Sequence, residues 1–256
     1  MLNINFTCIR GGNQTENEEL QNHFHMDYEL FFASSGDAEF TIENRKCKLA
    51  AGGIVLIAPG DNHKIRIEKN GQSELCRLMF AESEMPSELI FIMNEKSGHC
   101  VNGDTVLNVL FMRVGEYLQS YQGEYLNGLI RSALCEILYY FCGECAPCEF
   151  ETCNKKILIV IEYIKINIAK NFVLEDICKC INRSESYLCQ EFQKVMGISV
   201  MKYVRLKRTV LVQSHINKGS KPKDIYEQCG FYDYSTFFRT YKKISGLTPS
   251  LKVRKN

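Results

Sequence analysis

Ser184-Glu185-Ser186-Tyr187-Leu188-Cys189-Gln190-Glu191-Phe192-Gln193-Lys194-Val195-Met196-Gly197 carries two patterns at once. Ser184 suits a helix N-cap, because its hydroxyl accepts from a backbone N–H of the first turn. Gly197 suits the C-terminal end, where left-handed backbone is needed. Between them Leu188, Phe192 and Val195 recur at helical spacing and predict an inward face, while Ser186, Cys189, Gln190 and Gln193 share the opposite one. Upstream, Leu174 to Ile181 reads as a shorter helix with Glu175 and Asp176 in its first turn, where the helix dipole favours acids. A turn at Asn182-Arg183 separates the two helices. Helix, tight turn, then a helix with a polar outer face is the helix-turn-helix plan. Its second helix fits the major groove of DNA, where amides and hydroxyls read base edges.

The unit recurs. Phe192 to Ser199 aligns with Tyr241 to Thr248 at an offset of 49 residues. A repeat is stronger support than one motif. The second copy opens at Pro222, a favoured first-turn residue, and runs through Ile225 to Gly230-Phe231. Its reading helix is expected over about Tyr234 to Ile244. Between the copies lies a basic helix, Val200 to Asn217, with Lys202, Arg205, Lys207 and Arg208. Ahead of both, Asn154 is a plausible N-cap, and Ile157, Ile161, Ile164 and Ile168 form an apolar stripe. Two readers joined by a rigid helix would reach successive major grooves, about 34 Å apart on one face of the duplex.

Charge agrees. The net charge of +1 hides an asymmetry: residues 1–150 hold 11 Lys+Arg against 21 Asp+Glu, and residues 151–256 hold 20 against 9. A polyanion is drawn to the second part and repelled by the first. At 45% hydrophobic residues the 256-residue chain has enough apolar matter for packed cores, and its length suggests two domains. No apolar run reaches the roughly 18 residues that span a bilayer. The stretch Met1 to Arg10 lacks a basic start and apolar run, so it does not read as a signal peptide. Thirteen cysteines then point to a reduced cytoplasm, with thiols serving mostly as small core residues.

The first half has a different period. Tyr28–Phe32, Glu39–Ile42, Ile54–Ile57 and Leu75–Phe80 read as strands, punctuated by Gly36, Gly52-Gly53, Pro59-Gly60-Asp61-Asn62 and Asn70-Gly71. Val106 to Leu118 and Tyr125 to Phe141 read as helices that cover a barrel or pair with a second chain. The expected fold is therefore α+β: an N-terminal β-barrel with covering helices over residues 1–145, a linker at 146–154, and an all-α domain with two helix-turn-helix units at 155–256.

Residues 155–253 resemble the DNA-binding domain of the AraC/XylS family of bacterial regulators. The matching residues include Leu174, Ile177, Ser184, Tyr187-Leu188, Phe192, Gly197, Tyr203, Arg205-Leu206, Arg208, Ile225, Cys229-Gly230-Phe231, Phe237, Arg239, Tyr241-Lys242-Lys243, Gly246 and Thr248-Pro249. The resemblance places base contacts on Ser186, Cys189, Gln190 and Gln193, and on Tyr234, Ser235, Phe238 and Arg239. Arg239 suits guanine, Gln190 and Gln193 suit adenine, and Phe238 suits a thymine methyl. Lys194, Lys202, Arg208, Lys242 and Lys243 are read as phosphate contacts, which position without specifying. Cys178, Tyr226 and Thr209 stand where the family usually has alanine.

His23-Phe24-His25-Met26-Asp27-Tyr28-Glu29 followed by Gly36, and Gly52 to His63, are similar to the two cupin motifs, with Pro59 displaced by one position. That resemblance implies a barrel that binds a small-molecule effector. Its metal-binding positions fall on His23, His25, Glu29 and His63, a donor set suited to iron, manganese or zinc. The favoured reading is no metal and no cofactor, with His25, Tyr28, Glu29, His63 and Arg77 as ligand-binding candidates. Catalysis of cupin type is the least favoured alternative. Cys142, Cys145, Cys148 and Cys153 form a second cluster, open to a metal or disulfide reading, the favoured one being the chance clustering expected of a cysteine-rich chain. The expected partners are double-stranded promoter DNA, RNA polymerase, a small-molecule effector and a second copy of the chain, with no membrane.

Overall fold

A computed structural model of the chain describes residues 4–10, 22–67, 73–96, 98, 100–102, 104–143 and 148–250. The expected Asn70-Gly71 turn and Cys145 lie outside the described residues. The chain divides into two compact units: Met1–His23 with Asp27–Glu151, and Thr152–Asn256 with Phe24–Met26.

The first unit is a two-sheet β structure covered on one side by helices. Strands β1 (Ile4–Arg10), β2 (Tyr28–Ser35), β5 (Ile54–Ile57), β7 (Glu74–Phe80) and β8 (Cys100–Val101) form one sheet in the order β1-β7-β2-β5-β8. Strands β3 (Ala38–Ile42), β4 (Arg45–Leu49), β6 (His63–Ile67) and β9 (Glu151–Thr152) form the other, in the order β6-β3-β4-β9. Side chains alternate faces along a strand, and here both faces of the five-stranded sheet are buried. Tyr28, Leu30, Phe32, Cys76, Leu78 and Phe80 enter the core on the helix side. Phe31, Ala33, Val55, Ile57 and Leu75 enter the core between the sheets, with Phe40, Leu49 and Ile65. Ile54-Val55-Leu56-Ile57 therefore reads as an unbroken apolar run because every residue of it is buried.

Helices α1 (Ser87–Glu95), α2 (Thr105–Ser120) and α3 (Gly123–Gly143) close the helix-side core. From α2 come Leu107, Leu110, Phe111 and Val114, and from α3 Ile130, Leu134, Ile137 and Phe141. The Phe111 ring stacks on Phe32 at 4.4 Å. Burying each of these side chains contributes about 1.5–3 kcal/mol. Both expected helices are present, each extended by one or two residues at its ends. The sequence reading did not anticipate α1, whose apolar run Leu89-Ile90-Phe91-Ile92-Met93 hides a helical period. It also did not anticipate β4 and β6, although Arg45–Leu49 and His63–Ile67 alternate between exposed and buried. Part of the expected linker is built into this unit. Cys148 donates its N–H to the Cys100 carbonyl at 2.6 Å, and Phe150 packs against the inter-sheet core.

The second unit is all helical: α4 (Lys155–Asn167), α5 (Leu174–Ile181), α6 (Glu185–Met196), α7 (Val200–Asn217), α8 (Pro222–Ile225) and α9 (Tyr234–Ser245). It has two small cores. The first joins Ile157, Ile161 and Ile164 of α4 to Ile177, Leu188, Phe192, Tyr203 and Val204. The second joins Val212 and Ile216 to Ile225, Cys229, Phe231, Phe237 and Tyr241. Helix α7 serves both, its N-terminal half in one core and its C-terminal half in the other. Among the described residues, no helix is long and apolar enough to cross a membrane.

Candidate nucleic-acid interface and barrel sites

Local chemistry sets each reading helix. Ser184 caps α6 by accepting from the Tyr187 N–H at 3.3 Å, and Asp233 caps α9 by accepting from the Thr236 N–H at 2.8 Å. The same backbone hydrogen bond holds the Asp233 carboxyl below its usual range. Asp233 was missed in the sequence, although an Asp directly before a helical period is a capping signal. Both helices end on a glycine at φ 72°, Gly197 and Gly246. The α5 start is tied by the Asp176 carboxylate, which accepts from the Val173 N–H at 3.0 Å.

Inner faces fix outer faces. Leu188, Phe192 and Met196 are buried on α6, which leaves Ser186, Cys189, Gln190, Gln193 and Lys194 exposed. Phe237 and Tyr241 are buried on α9, which leaves Ser235, Arg239, Lys242 and Lys243 exposed. The Tyr241 hydroxyl donates to the Gln213 side-chain carbonyl and so ties α9 to α7. Phe238 is half-buried. Tyr234 is shared between surface and core: it is half-buried, with its ring 5.6 Å from Tyr226 and 5.4 Å from Phe237. Lys202 is exposed on α7.

Arg208 requires a correction. The family resemblance makes it a phosphate contact, but the residue is only 8% exposed. Its Nε donates to the Ile168 carbonyl at 2.9 Å and its Nη2 to the Lys170 carbonyl at 2.8 Å. Its guanidinium also lies 5.6 Å from the Phe172 ring centre. Burial lowers its pKa from the usual value. A planar fork that satisfies two carbonyls is a structural strut. The chain makes room for it at Gly230, where φ is +83° and an added Cβ would lie 2.5 Å from Arg208 Nε. The three positions where the family usually has alanine are filled without loose ends. Thr209 is buried and its hydroxyl donates to the Arg205 carbonyl at 2.8 Å. Cys178 joins the first core, and the Tyr226 ring stacks on Phe237.

His23, His25, Glu29 and His63 bring one donor atom each within 4.8 Å of one another. Glu29 and His63 are fully buried. The His63 Nδ1 donates to the Asp61 carbonyl at 2.9 Å, which turns Nε2 toward Glu29 Oε2 at 3.2 Å. Three nitrogens and a carboxylate suit a first-row divalent ion in spacing and donor type. Arg77 Nη1, 3.6 Å from Glu29 Oε1, already supplies that carboxylate with a positive charge. We expect Glu29→Ala to cost the first unit about 3–5 kcal/mol, because it takes the carboxylate from the buried His63 and the half-buried Arg77. Urea unfolding checks this, and a loss under 1 kcal/mol would contradict it.

A cavity of about 570 Å³ opens on the other side of the same sheet, between β1, β2 and β7 and helices α2 and α3. Phe6, Leu78, Leu118 and Ile130 supply apolar wall, and Glu74 and Asn127 supply polar groups. None of His25, Tyr28, Glu29, His63 and Arg77 lines it. The reason is the two-residue period. Glu29 and Arg77 point with Phe31 and Leu75 toward the other sheet, and the cavity collects the opposite parity, Ser34, Glu74, Cys76 and Leu78. Tyr28 has the helix-side parity but is buried in the core, its hydroxyl donating to Asn94 at 2.8 Å. Of the described linker cysteines, Cys142 belongs to the helix-side core, Cys148 packs on the inter-sheet core, and Cys153 is exposed.

Comparison with known proteins accords with this architecture. The model of an AraC-like ligand binding domain matches residues 3–123, and that of a helix-turn-helix domain matches residues 177–255. The HTH-type transcriptional regulator YdiP of Escherichia coli is 25% identical over 91% of this chain and 80% of its own length. YbfI of Bacillus subtilis, another HTH-type transcriptional regulator, is 21% identical over 85% of this chain and 81% of its own. Among solved structures, an apo variant of ToxT from Vibrio cholerae has a TM-score of 0.43 and 16% identity, over 96% of this chain and 95% of that one. The chain belongs to the AraC-type transcription regulators, with an N-terminal ligand-binding domain and a C-terminal helix-turn-helix DNA-binding domain.

Proposed function

We propose that this regulator grips promoter DNA with α6 and α9 in successive major grooves. The observation that carries the reading is that both helices bury one face in separate cores and leave Ser186, Cys189, Gln190 and Gln193, and Ser235 and Arg239, exposed on the other. Phe238, half-buried, adds an apolar contact at the edge of the second reader. Lys194, Lys202, Lys242 and Lys243 supply phosphate contacts. The effector is a small molecule, mostly apolar with one or two polar groups, held in the cavity between the sheet and helices α2 and α3. A volume of about 570 Å³ is in the range of small-molecule sites. An effector changes DNA affinity only by its preference for one arrangement of the protein.

Two copies associate through α2 and α3, a reading supported by exposed Val106, Val109, Met112 and Tyr125. The protein acts in the cytoplasm, contacts RNA polymerase and carries out no catalysis. Glu29, His63 and Arg77 then form a largely buried polar network that sets the barrel mouth. Four lysine–phosphate contacts give log affinity a slope of about −3.6 against log salt. Affinity for an operator fragment is expected to fall about 150-fold between 50 and 200 mM salt. A fluorescence-anisotropy titration checks this, and an affinity that barely moves with salt would remove the DNA reading.

A further inference from the structure

Two thiols face each other in the wall of the cavity. Cys8 on β1 and Cys76 on β7 are directly opposite in the antiparallel register. Their Sγ atoms are 3.1 Å apart. Directly opposed residues in such a pair have Cα atoms about 4.5 or 5.5 Å apart, and both separations lie within the span of a disulfide. Closing the gap to a bond of about 2.05 Å takes side-chain movement of about 1 Å and leaves the backbone in place. The two thiols differ in access, Cys8 being exposed and Cys76 buried. β1 is the terminal strand of its sheet and pairs with β7.

We propose that Cys8 and Cys76 are a reversible disulfide site in the cavity wall, oxidised by small-molecule disulfides. The exposed Cys8 thiolate attacks one sulfur of the small disulfide. The S–S bond of that molecule breaks, a mixed disulfide forms on Cys8, and one small thiolate leaves. Cys76 then gives its proton to solvent and attacks the Cys8 sulfur, and the second small thiolate leaves. Two protein thiols lose two electrons in all, and the small disulfide becomes two thiols. Burial, and then the adjoining Cys8 thiol, push Cys76 up to about 12. A thiol that ionises so reluctantly is a poor leaving group, so the bond resists reduction once formed. The cross-link fastens the edge strand to β7 beside the cavity and stiffens one wall. This inference stands independently of the DNA reading and of what occupies the cavity.

The test uses the full chain, fully reduced and then equilibrated without oxygen against a series of oxidised-to-reduced glutathione ratios. Alkylation stops the exchange, and peptide mass mapping locates the bonds. The expected product joins the peptide holding Cys8 to the one holding Cys76, lighter by two hydrogens and reversed by excess reductant. Cys76→Ser is expected to trap Cys8 as the glutathione adduct. In the oxidised wild-type protein, amide exchange along Ile4–Arg10 is expected to slow by about tenfold or more. A wild-type protein that keeps Cys8 as a stable glutathione adduct, or pairs other cysteines first, would overturn the proposal. The wild-type mapping decides the matter even if a variant fails to fold.

Discussion

Replacing Gly230 with alanine is expected to destabilise the helical unit by about 3–5 kcal/mol and to remove DNA binding by the second reader. Left-handed backbone costs a residue with a Cβ about 1–2 kcal/mol. The larger part is steric and polar. The new Cβ would lie 2.5 Å from Arg208 Nε, 2.8 Å from its Cζ and 2.8 Å from the Ile168 carbonyl oxygen. Arg208 must then leave the Ile168 and Lys170 carbonyls, and each hydrogen bond from a charged donor is worth about 1.5–3 kcal/mol. Arg208→Lys separates strut from phosphate contact. A lysine keeps the charge but not the fork that reaches two carbonyls. The strut reading expects Arg208→Lys to lower stability nearly as much as Arg208→Ala and to leave the salt slope of DNA binding unchanged. Urea unfolding of the helical unit and a salt titration read the two quantities. Full stability with a shallower salt slope would restore the phosphate role.

The second large effect is at Arg239. It is exposed on α9, and the backbone there is held by the Asp233 cap and by the buried anchors Phe237 and Tyr241. A guanidinium on a rigid helix can bond guanine through two donors, which is worth about 1–3 kcal/mol of discrimination. Arg239→Ala is expected to lose that amount at one base pair and to bind all substitutions at that pair alike. Lys242→Ala, one helical turn away, is expected to weaken every sequence about equally and to reduce the salt slope by about 0.9. Affinities over a set of single-base operator variants check both. Specificity retained at every position in Arg239→Ala would contradict its role.

The helical half was legible because its signals are local. Ser184, Gly197, Pro222 and the 49-residue repeat each specify a helix end or a face within a few residues. The observed helices Leu174–Ile181 and Val200–Asn217 have the expected bounds. Arg208 was misread for the opposite reason. It sits among basic residues on α7, but its partners are carbonyls 38 and 40 residues earlier, which no helical period reveals. The barrel half shows the same divide. The cupin-like spacing does bring His23, His25, Glu29 and His63 together. The cavity depends on which parity of β2 and β7 faces α2 and α3, and that follows from packing between elements far apart in sequence. The Cys8–Cys76 pair is equally silent in sequence, since only the β1–β7 register sets them opposite. Strand β6 was within reach, because His63-Lys64-Ile65-Arg66-Ile67 alternates over five residues.

The account rests on α6 and α9 as two separate base readers. Dimethyl sulfate protection of guanine N7, which lies in the major groove, tests this most directly on a selected operator. Two protected clusters about one helical turn apart are expected. Gln190→Ala with Gln193→Ala should weaken protection in one cluster and Arg239→Ala in the other. A single cluster, or protection unchanged by either variant, would contradict the two-reader account.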